Sequence, residues 1–323
     1  MAKKNLLVLT PIDSIGEILE ILKKEFDLIY LPNASLDDLC KYNLESIWGV
    51  FTNPNRSKIQ YNKNFFKLVP KLEVICTAST GTVHIDLAEA EKRGTSIISL
   101  KTEIETLKTV PSTSELAFTL MMSSLRHISN ARTHVINGNW DCEFFVGRQL
   151  KDLSVGILGM GRLGTIFGSF CIPFGAKLSF FDPYVDKSNY SEIQKINSLS
   201  EFLSNIDILS IHIHAENNDN FVDKKFLEMC KDNLLIVNTS RGEVIDENAL
   251  IRHMKKNEKF SYAADVIKDE ILLRNESPII KALKDESISS RLLITPHIGG
   301  MSEGARKTAY NRAVELLIEY AEK

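Results

Sequence analysis

Three ionisable residues in the second half of the chain are of the types that hold an acid and move a proton: Arg241, Glu270 and His297. A guanidinium is a planar fork that grips a carboxylate through two parallel hydrogen bonds. An imidazole titrates near neutrality and can both give and take a proton. A carboxylate touching it stabilises the imidazolium and fixes its tautomer. Together they suit an enzyme that orients a carboxylate-bearing substrate, polarises the adjacent carbonyl and carries the proton as a hydroxyl and a carbonyl interconvert. Each follows an apolar run. Leu234-Leu235-Ile236-Val237 leads into Asn238-Thr239-Ser240-Arg241-Gly242, Tyr262–Val266 precedes Lys268-Asp269-Glu270, and Leu292–Thr295 leads into Pro296-His297-Ile298-Gly299-Gly300. Carboxyl ends of parallel strands converge on one crevice. Asp269 competes with Glu270 as the partner of His297. His212 and His214 share one face of a strand, but no carboxylate or cysteine completes a metal site there, so no metal is expected.

The electrons point to a dinucleotide. Ser154-Val155-Gly156-Ile157-Leu158 is a short apolar strand, and Gly159-Met160-Gly161-Arg162-Leu163-Gly164 follows it as G-x-G-x-x-G, opening a helix. Gly159 allows the tight turn, Gly161 lets a pyrophosphate approach the backbone, and Gly164 lets helix and sheet pack closely. The helix N-terminus presents free N–H groups to the pyrophosphate. The next strand, Leu178–Phe181, runs into Asp182, whose carboxylate accepts ribose hydroxyls and repels a 2′-phosphate, which favours NAD over NADP.

These residues need a scaffold of parallel strands. Residues 1 to about 100 alternate strand and helix patterns, with strands at Leu6–Thr10, Leu28–Leu31, Ile47–Phe51, Leu72–Cys76 and Ser96–Ser99. No glycine fingerprint occurs in that half. Its strand end at Ser79-Thr80-Gly81 exposes backbone N–H groups able to hold an anion. From Ser112 to about Ile136 the pattern reads as one long amphipathic helix, capped by Ser112 or Ser114, serving as a connector or a dimer surface. A final helix runs from about Met301 to Glu319.

The bulk composition agrees with a soluble enzyme. The chain has 323 residues, 44% hydrophobic and 25% charged, which is room for two domains with separate cores. A formal net charge of −3 gives no reason to expect nucleic acid or an anionic membrane as partner. Five widely spaced cysteines in no metal or disulfide pattern suit a reducing cytoplasm. Pro11 and Asp13 cut the first apolar run far short of a membrane span or signal.

The motifs Val155–Gly164, Val237–Gly242, Ala264-Asp265-Val266 and Thr295–Gly300, in this order and spacing, resemble the signatures of the D-isomer-specific 2-hydroxyacid dehydrogenases, including those that act on phosphoglycerate. The resemblance extends to Ser79-Thr80-Gly81, Asp86 and Glu115. It implies an α/β protein of two doubly wound parallel-sheet domains: a Rossmann NAD-binding domain (102–297, with the linking helix) inserted into a flavodoxin-like substrate domain (1–101), to which a C-terminal helix (298–323) returns. It implies an active site in the cleft, Arg241 on the substrate carboxylate and carbonyl, His297 as acid/base and Glu270 as its partner. Asp265 would lie near the nicotinamide, with Gly159, Gly161, Arg162, Leu163, Gly164, Asp182, Thr239 and Gly299 around the cofactor. The loop Ser79-Thr80-Gly81 would bind the substrate carboxylate through backbone amides. Homodimers joined near the long helix are the family habit.

The chain also departs from the family pattern. Ile271 stands where a Pro commonly follows the partner Glu, His212-Ile213-His214 replaces His-x-Pro, and Ser79 stands where Gly is frequent. Arg56 matches a basic position of members acting on 3-phosphoglycerate, while Pro54 occupies another. The expected activity is NAD-dependent interconversion of a D-2-hydroxy acid and its 2-keto acid. Alternatives are a glyoxylate or hydroxypyruvate reductase, a 3-phosphoglycerate dehydrogenase and, from another class, a dimeric NAD-sensing scaffold like the C-terminal-binding co-repressors.

Overall fold

The computed structural model describes residues 3–54, 59–271 and 273–323. Arg56 lies outside them. The chain divides into two compact units, Met1–Val110 with Met301–Lys323, and Pro111–Gly300.

The first unit is built on strands β1 (Asn5–Val8), β2 (Asp27–Tyr30), β3 (Gly49–Thr52), β4 (Val74–Thr77) and β5 (Ser96–Ile98), all parallel in the order β2-β1-β3-β4-β5. This is the flavodoxin-like order. Its helices are α1 (Ile18–Glu25), α2 (Leu36–Leu39), α3 (Lys63–Leu68), α4 (Leu87–Arg93) and α5 (Ile104–Lys108). The strands are continuous apolar runs because both faces are covered. One face packs Leu7, Val50 and Ile75 against Phe65, Phe66 and Leu39.

The second unit carries β6 (Ser154–Leu158), β7 (Lys177–Phe181), β8 (Ile193–Lys195), β9 (Ile208–Ile211), β10 (Leu235–Asn238), β11 (Ser261–Ala264) and β12 (Leu292–Ile294). The parallel order β12-β11-β10-β9-β6-β7-β8 is the Rossmann arrangement with one added strand. Its helices are α6 (Ser112–Leu125), α7 (Ile128–Ile136), α8 (Arg162–Cys171), α9 (Leu199–Asn205), α10 (Lys224–Glu228), α11 (Glu247–Lys256) and α12 (Pro278–Ala282). The last helix, α13 (Glu303–Ala321), belongs to the first unit. It supplies Tyr310, Val314 and Leu317 to the other face of that sheet, beside Leu6, Val8, Phe51 and Val74.

The unit boundaries fall later than 101/102 and 297/298. Helix α5 packs on α13, and Arg312 Nε donates to Glu103 at 2.7 Å, which keeps residues 102–110 with the first unit. The turn through Gly299 is bonded to Asp265 and stays with the second.

The long helix expected over 112–136 is two. His127 turns left-handed (φ 53), and the Leu125 carbonyl that would continue the helix accepts instead from Arg148 N at 3.1 Å. Neither serine caps it. Ser114 Oγ donates to the Leu163 carbonyl at 2.9 Å, tying α6 to the start of α8.

His212 and His84 are held inside the fold. His212 is bonded through Nε2 to Ser210 Oγ at 2.8 Å, and burial pushes its imidazole down to about 3. His84 is fully buried edge-on to Tyr61, and neither ring nitrogen has a partner among the described residues. Burial pushes it down from 6.5 to about 4. The unfolded chain therefore takes up a proton that the folded one refuses. This contribution to stability is complete above about pH 6.5 and is lost as pH falls toward about pH 4. His84→Leu should flatten that loss, measured as the unfolding midpoint across this pH range. An unaltered pH dependence would remove His84 as a source of acid sensitivity.

Candidate active site

The glycine turn joins β6 to α8 at the point where the strand order reverses, between β6 and β9. Gly159 has φ +92, and a Cβ there would meet the His212 carbonyl oxygen at 2.8 Å. A Cβ on Gly164 would lie 2.1 Å from the Gly159 carbonyl oxygen, so α8 starts in backbone contact with the turn. A Cβ on Gly161 would meet nothing within 4 Å, which leaves open space in front of the α8 N-terminus. Arg162 begins that helix half-buried, and desolvation lowers its guanidinium from its ordinary value. Leu163 follows, its carbonyl held by Ser114.

Asp182, past the end of β7, faces the same turn. One carboxylate oxygen accepts from Met160 N and the other from Tyr184 N, each at 2.8 Å. A carboxylate oxygen has two lone-pair sites, so both remain able to accept a ribose hydroxyl. Past β10, the Thr239 hydroxyl is buried without a partner among the described residues. An orphaned buried hydroxyl, an open glycine turn and an acid at the neighbouring strand end are the donor and acceptor set a dinucleotide requires.

Arg241, Glu270 and His297 lie past β10, β11 and β12, as their spacing predicts. Asn238 is fully buried and shapes the first turn. Its Oδ1 accepts from Ser240 N at 3.0 Å and Ser240 Oγ at 2.8 Å, and its Nδ2 donates to the Arg241 carbonyl at 3.0 Å. The Arg241 guanidinium donates to the Ser240 carbonyl at 2.6 Å and pairs with no carboxylate among the described residues. Asp265 is 2% exposed. Its carboxylate accepts from Thr295 Oγ1 at 2.5 Å, Ile298 N at 2.8 Å and Gly299 N at 2.7 Å. Burial raises its carboxyl above the usual range, and these three bonds oppose the rise. The Asp265 carbonyl also accepts from His297 N at 2.9 Å, and His297 itself is left-handed, φ 55. Asp265 thus holds the turn that presents the histidine.

His297 Nδ1 meets Glu270 Oε1 at 2.5 Å, with both side chains about one-quarter exposed. With the hydrogen on Nδ1, a carboxylate oxygen accepts this bond, and Nε2 takes no part in it. Of the adjacent acids, Glu270 makes this contact. Asp269 is left-handed, φ 51, and its carbonyl accepts from Leu273 N.

In the first unit, the loop after β4 closes on itself. Ser79 Oγ donates to the Gly81 carbonyl and shares a hydrogen with Thr77 Oγ1, both at 2.8 Å. The amides of Thr80 and Gly81 donate to no described acceptor. Asn238, which shapes the Arg241 turn, was not singled out by the sequence reading. An Asn directly after a wholly apolar strand was the available signal for it.

Comparison with known proteins agrees with this architecture. Residues 118–299 match the D-isomer specific 2-hydroxyacid dehydrogenase, NAD binding domain. The chain belongs to that family, and its second unit is an NAD-binding domain. It is 27% identical to the glyoxylate reductase of Thermococcus litoralis over 80% of this chain and 77% of that protein. It is 26% identical to the D-3-phosphoglycerate dehydrogenase of Bacillus subtilis over 82% of this chain but only 48% of that protein, so it spans about half the length of such relatives. In fold it is similar to the D-lactate dehydrogenase of Aquifex aeolicus, with a TM-score of 0.77, 22% identity, and 99% and 96% of the two chains covered.

Two glycine substitutions separate folding from cofactor binding. Gly161→Ala should leave the unfolding midpoint unchanged yet weaken NADH binding at least about tenfold, or about 1.4 kcal/mol. Gly164→Ala should lower the midpoint, at an overpacking cost of about 1–3 kcal/mol. Wild-type NADH affinity in Gly161→Ala would remove the turn from the cofactor site.

Proposed function

We propose that the protein catalyses the NAD-dependent interconversion of a D-2-hydroxy acid and its 2-keto acid, with Arg241, Glu270 and His297 as the catalytic set. The observation that carries this reading is the His297–Glu270 hydrogen bond of 2.5 Å on the same sheet edge as the glycine turn and Arg241. In the direction of reduction, the Arg241 fork holds the substrate carboxylate and draws electron density from the carbonyl oxygen. His297 Nε2 gives its proton to that oxygen as the carbonyl becomes a hydroxyl, and in the reverse direction takes it back. Glu270 stabilises the imidazolium and keeps Nε2 aimed outward. Bound between the glycine turn and Asp182, the nicotinamide cofactor would supply the hydride for substrate C2 in reduction and would accept it in oxidation. Gly159, Gly161, Arg162, Leu163, Gly164, Asp182, Thr239, Asp265 and Gly299 form the cofactor side. The Thr80 and Gly81 amides, with Ser79 shaping their loop, hold the substrate carboxylate.

Glyoxylate and hydroxypyruvate head the candidate substrates, because a relative of matching length is a glyoxylate reductase. The phosphoglycerate relatives make a phosphorylated acid the second candidate. Free thiols at Cys40, Cys76, Cys142, Cys171 and Cys230 support a reducing, cytoplasmic setting.

The same reading includes a homodimer. Helix α7 and the arm after it expose Ile136 (63%), Trp140 (90%), Phe144 (73%) and Val146 (76%), and large apolar side chains exposed along one segment favour a second copy. Light scattering should give twice the chain mass of 36.4 kDa, and Trp140→Asp with Phe144→Asp should halve it. A wild-type monomer at assay concentration would remove the dimer.

NADH oxidation against a panel of 2-keto acids, with and without a phosphate group, tests the activity. His297→Ala should lower kcat/KM about 10²- to 10⁴-fold while NADH still binds. Arg241→Lys should raise KM for the keto acid and lower kcat/KM, because the fork is lost. Full turnover in His297→Ala sinks the assignment. NADH binding without turnover on any acid favours the sensing scaffold.

A further inference from the structure

Glu270 rides on the segment between Ile267 and Pro278, a coil in which Leu272 lies outside the described residues and Arg274–Glu276 form a 3₁₀ turn. The coil is folded on itself, with Leu273 N donating to the Asp269 carbonyl at 2.8 Å, Ser277 N to the Leu273 carbonyl at 3.0 Å and Arg274 Nε to the Glu270 carbonyl at 3.2 Å. Beneath it opens a cavity of about 270 Å³, lined by Asp246, Glu247, Lys268, Asp269 and Ser277 among others. A segment that lines a cavity packs on fewer sides, so its place leans on its tethers.

Both ends are tethered to one side chain. Glu247, in the first turn of α11, is 5% exposed. Its Oε1 accepts from Lys268 N at 2.9 Å and its Oε2 from the Ser277 hydroxyl at 2.9 Å. Ser277 is 3% exposed, and its Oγ accepts in turn from Ile279 N at 3.2 Å, starting α12. A glutamate at this helical position normally points to water and gains from the helix dipole. This one is turned inward, where an unpaired carboxylate is costly. The backbone supports the same join. A Cβ on Gly242 would lie 2.0 Å from the Ile267 carbonyl carbon and 2.3 Å from Lys268 N, so the turn bearing Arg241 presses directly on the chain leading to Glu270.

We propose that Glu247 is a positioning residue for proton transfer. It clamps both ends of the coil and so sets Glu270 at hydrogen-bond distance from His297. It also fixes Glu270 relative to Arg241, because α11 follows the Arg241 turn directly. This role rests on the reading of Glu270 and His297 as the proton-transferring pair. Glu247→Ala removes both tethers, and a misplacement of about 1 Å costs about 10²-fold in rate. Glu247→Gln keeps an acceptor for Lys268 N and an amide that donates to Ser277 Oγ, so it restores the clamp.

The test combines kinetics with amide exchange on the full chain. Turnover of the keto acid found in the panel is measured for wild type, Glu247→Ala, Glu247→Gln, Glu270→Gln and the Glu247→Ala/Glu270→Gln double variant. Amide exchange over 268–277 is measured without ligands. Glu247→Ala should lose about 10- to 100-fold in kcat, with KM for NADH kept and the pH profile of kcat/KM altered as in Glu270→Gln. Glu247→Gln should recover most of the loss. Adding Glu247→Ala to Glu270→Gln should cost nothing further, because both act through one group. Exchange should rise in Glu247→Ala and stay at the wild-type level in Glu247→Gln. Wild-type kcat in Glu247→Ala, losses that multiply in the double variant, or unchanged exchange would each overturn the proposal. Should Glu247→Ala fail to fold, Ser277→Ala removes one tether: faster exchange with lower kcat supports the clamp, and wild-type values of either overturn it. A wild-type protein that turns over no keto acid overturns the reading of the reaction instead, and the exchange measurement alone then decides whether Glu247 holds the coil.

Discussion

The buried Asp265 carboxylate is the constraint on which the catalytic face of the second unit depends. A carboxylate 2% exposed is costly to bury unless it is fully hydrogen-bonded. It is satisfied by the Thr295 hydroxyl and the Ile298 and Gly299 amides, all from the segment that follows β12. Hydrogen bonds to a charged acceptor are worth about 1.5–3 kcal/mol each. That exceeds the roughly 1–2 kcal/mol cost of holding a residue with a side chain in the left-handed region. His297 can therefore occupy φ 55, a conformation that no isolated Pro-His-Ile segment would choose. The imidazole is set by the acid beneath it before any partner touches its ring.

What was legible in the sequence was what is local. The glycine fingerprint, the strand ends and the acid after β7 are read from adjacent residues, and the chain folds them as their spacing requires. The helix over 112–136 failed because its break is made from outside. Arg148 N takes the Leu125 carbonyl, and a Cβ on Gly147 would lie 2.3 Å from that same oxygen, so the returning chain occupies the end of α6. The choice between Asp269 and Glu270 was open for the same reason. Glu270 makes the contact with His297 while Asp269 turns left-handed, and a run of three charged residues displays neither feature. Glu247 itself looks like any acid in a first helical turn, and only its burial distinguishes it.

The order of the chain bears on how the two units form. The first sheet begins at Asn5, yet the cluster around Leu6, Val8 and Phe51 includes Tyr310, Val314 and Leu317 from α13. Fully burying a large apolar side chain contributes about 1.5–3 kcal/mol, so this sheet keeps an unfinished face until α13 is in place. The second unit has no such debt to the ends of the chain, being continuous from Pro111 to Gly300. The part that carries the glycine turn and the proton-handling residues is thus the part able to complete its core from local sequence alone.

One device recurs at the strand-end turns of the second unit. Backbone amides just past a strand end have left the ladder and need an acceptor. Asp182 takes that of Met160, Asn238 that of Ser240, Asp265 those of Ile298 and Gly299, and Glu247 that of Lys268. Water would satisfy the same amides without fixing them. A side chain anchored on a strand end or a helix start satisfies them in one geometry, so a turn inherits the rigidity of the element behind it. Electrostatic and proton-transfer catalysis both depend on groups that need no rearrangement at the moment of reaction. The acidic and amide side chains that satisfy these amides therefore fix the turns from which Arg241 and His297 project.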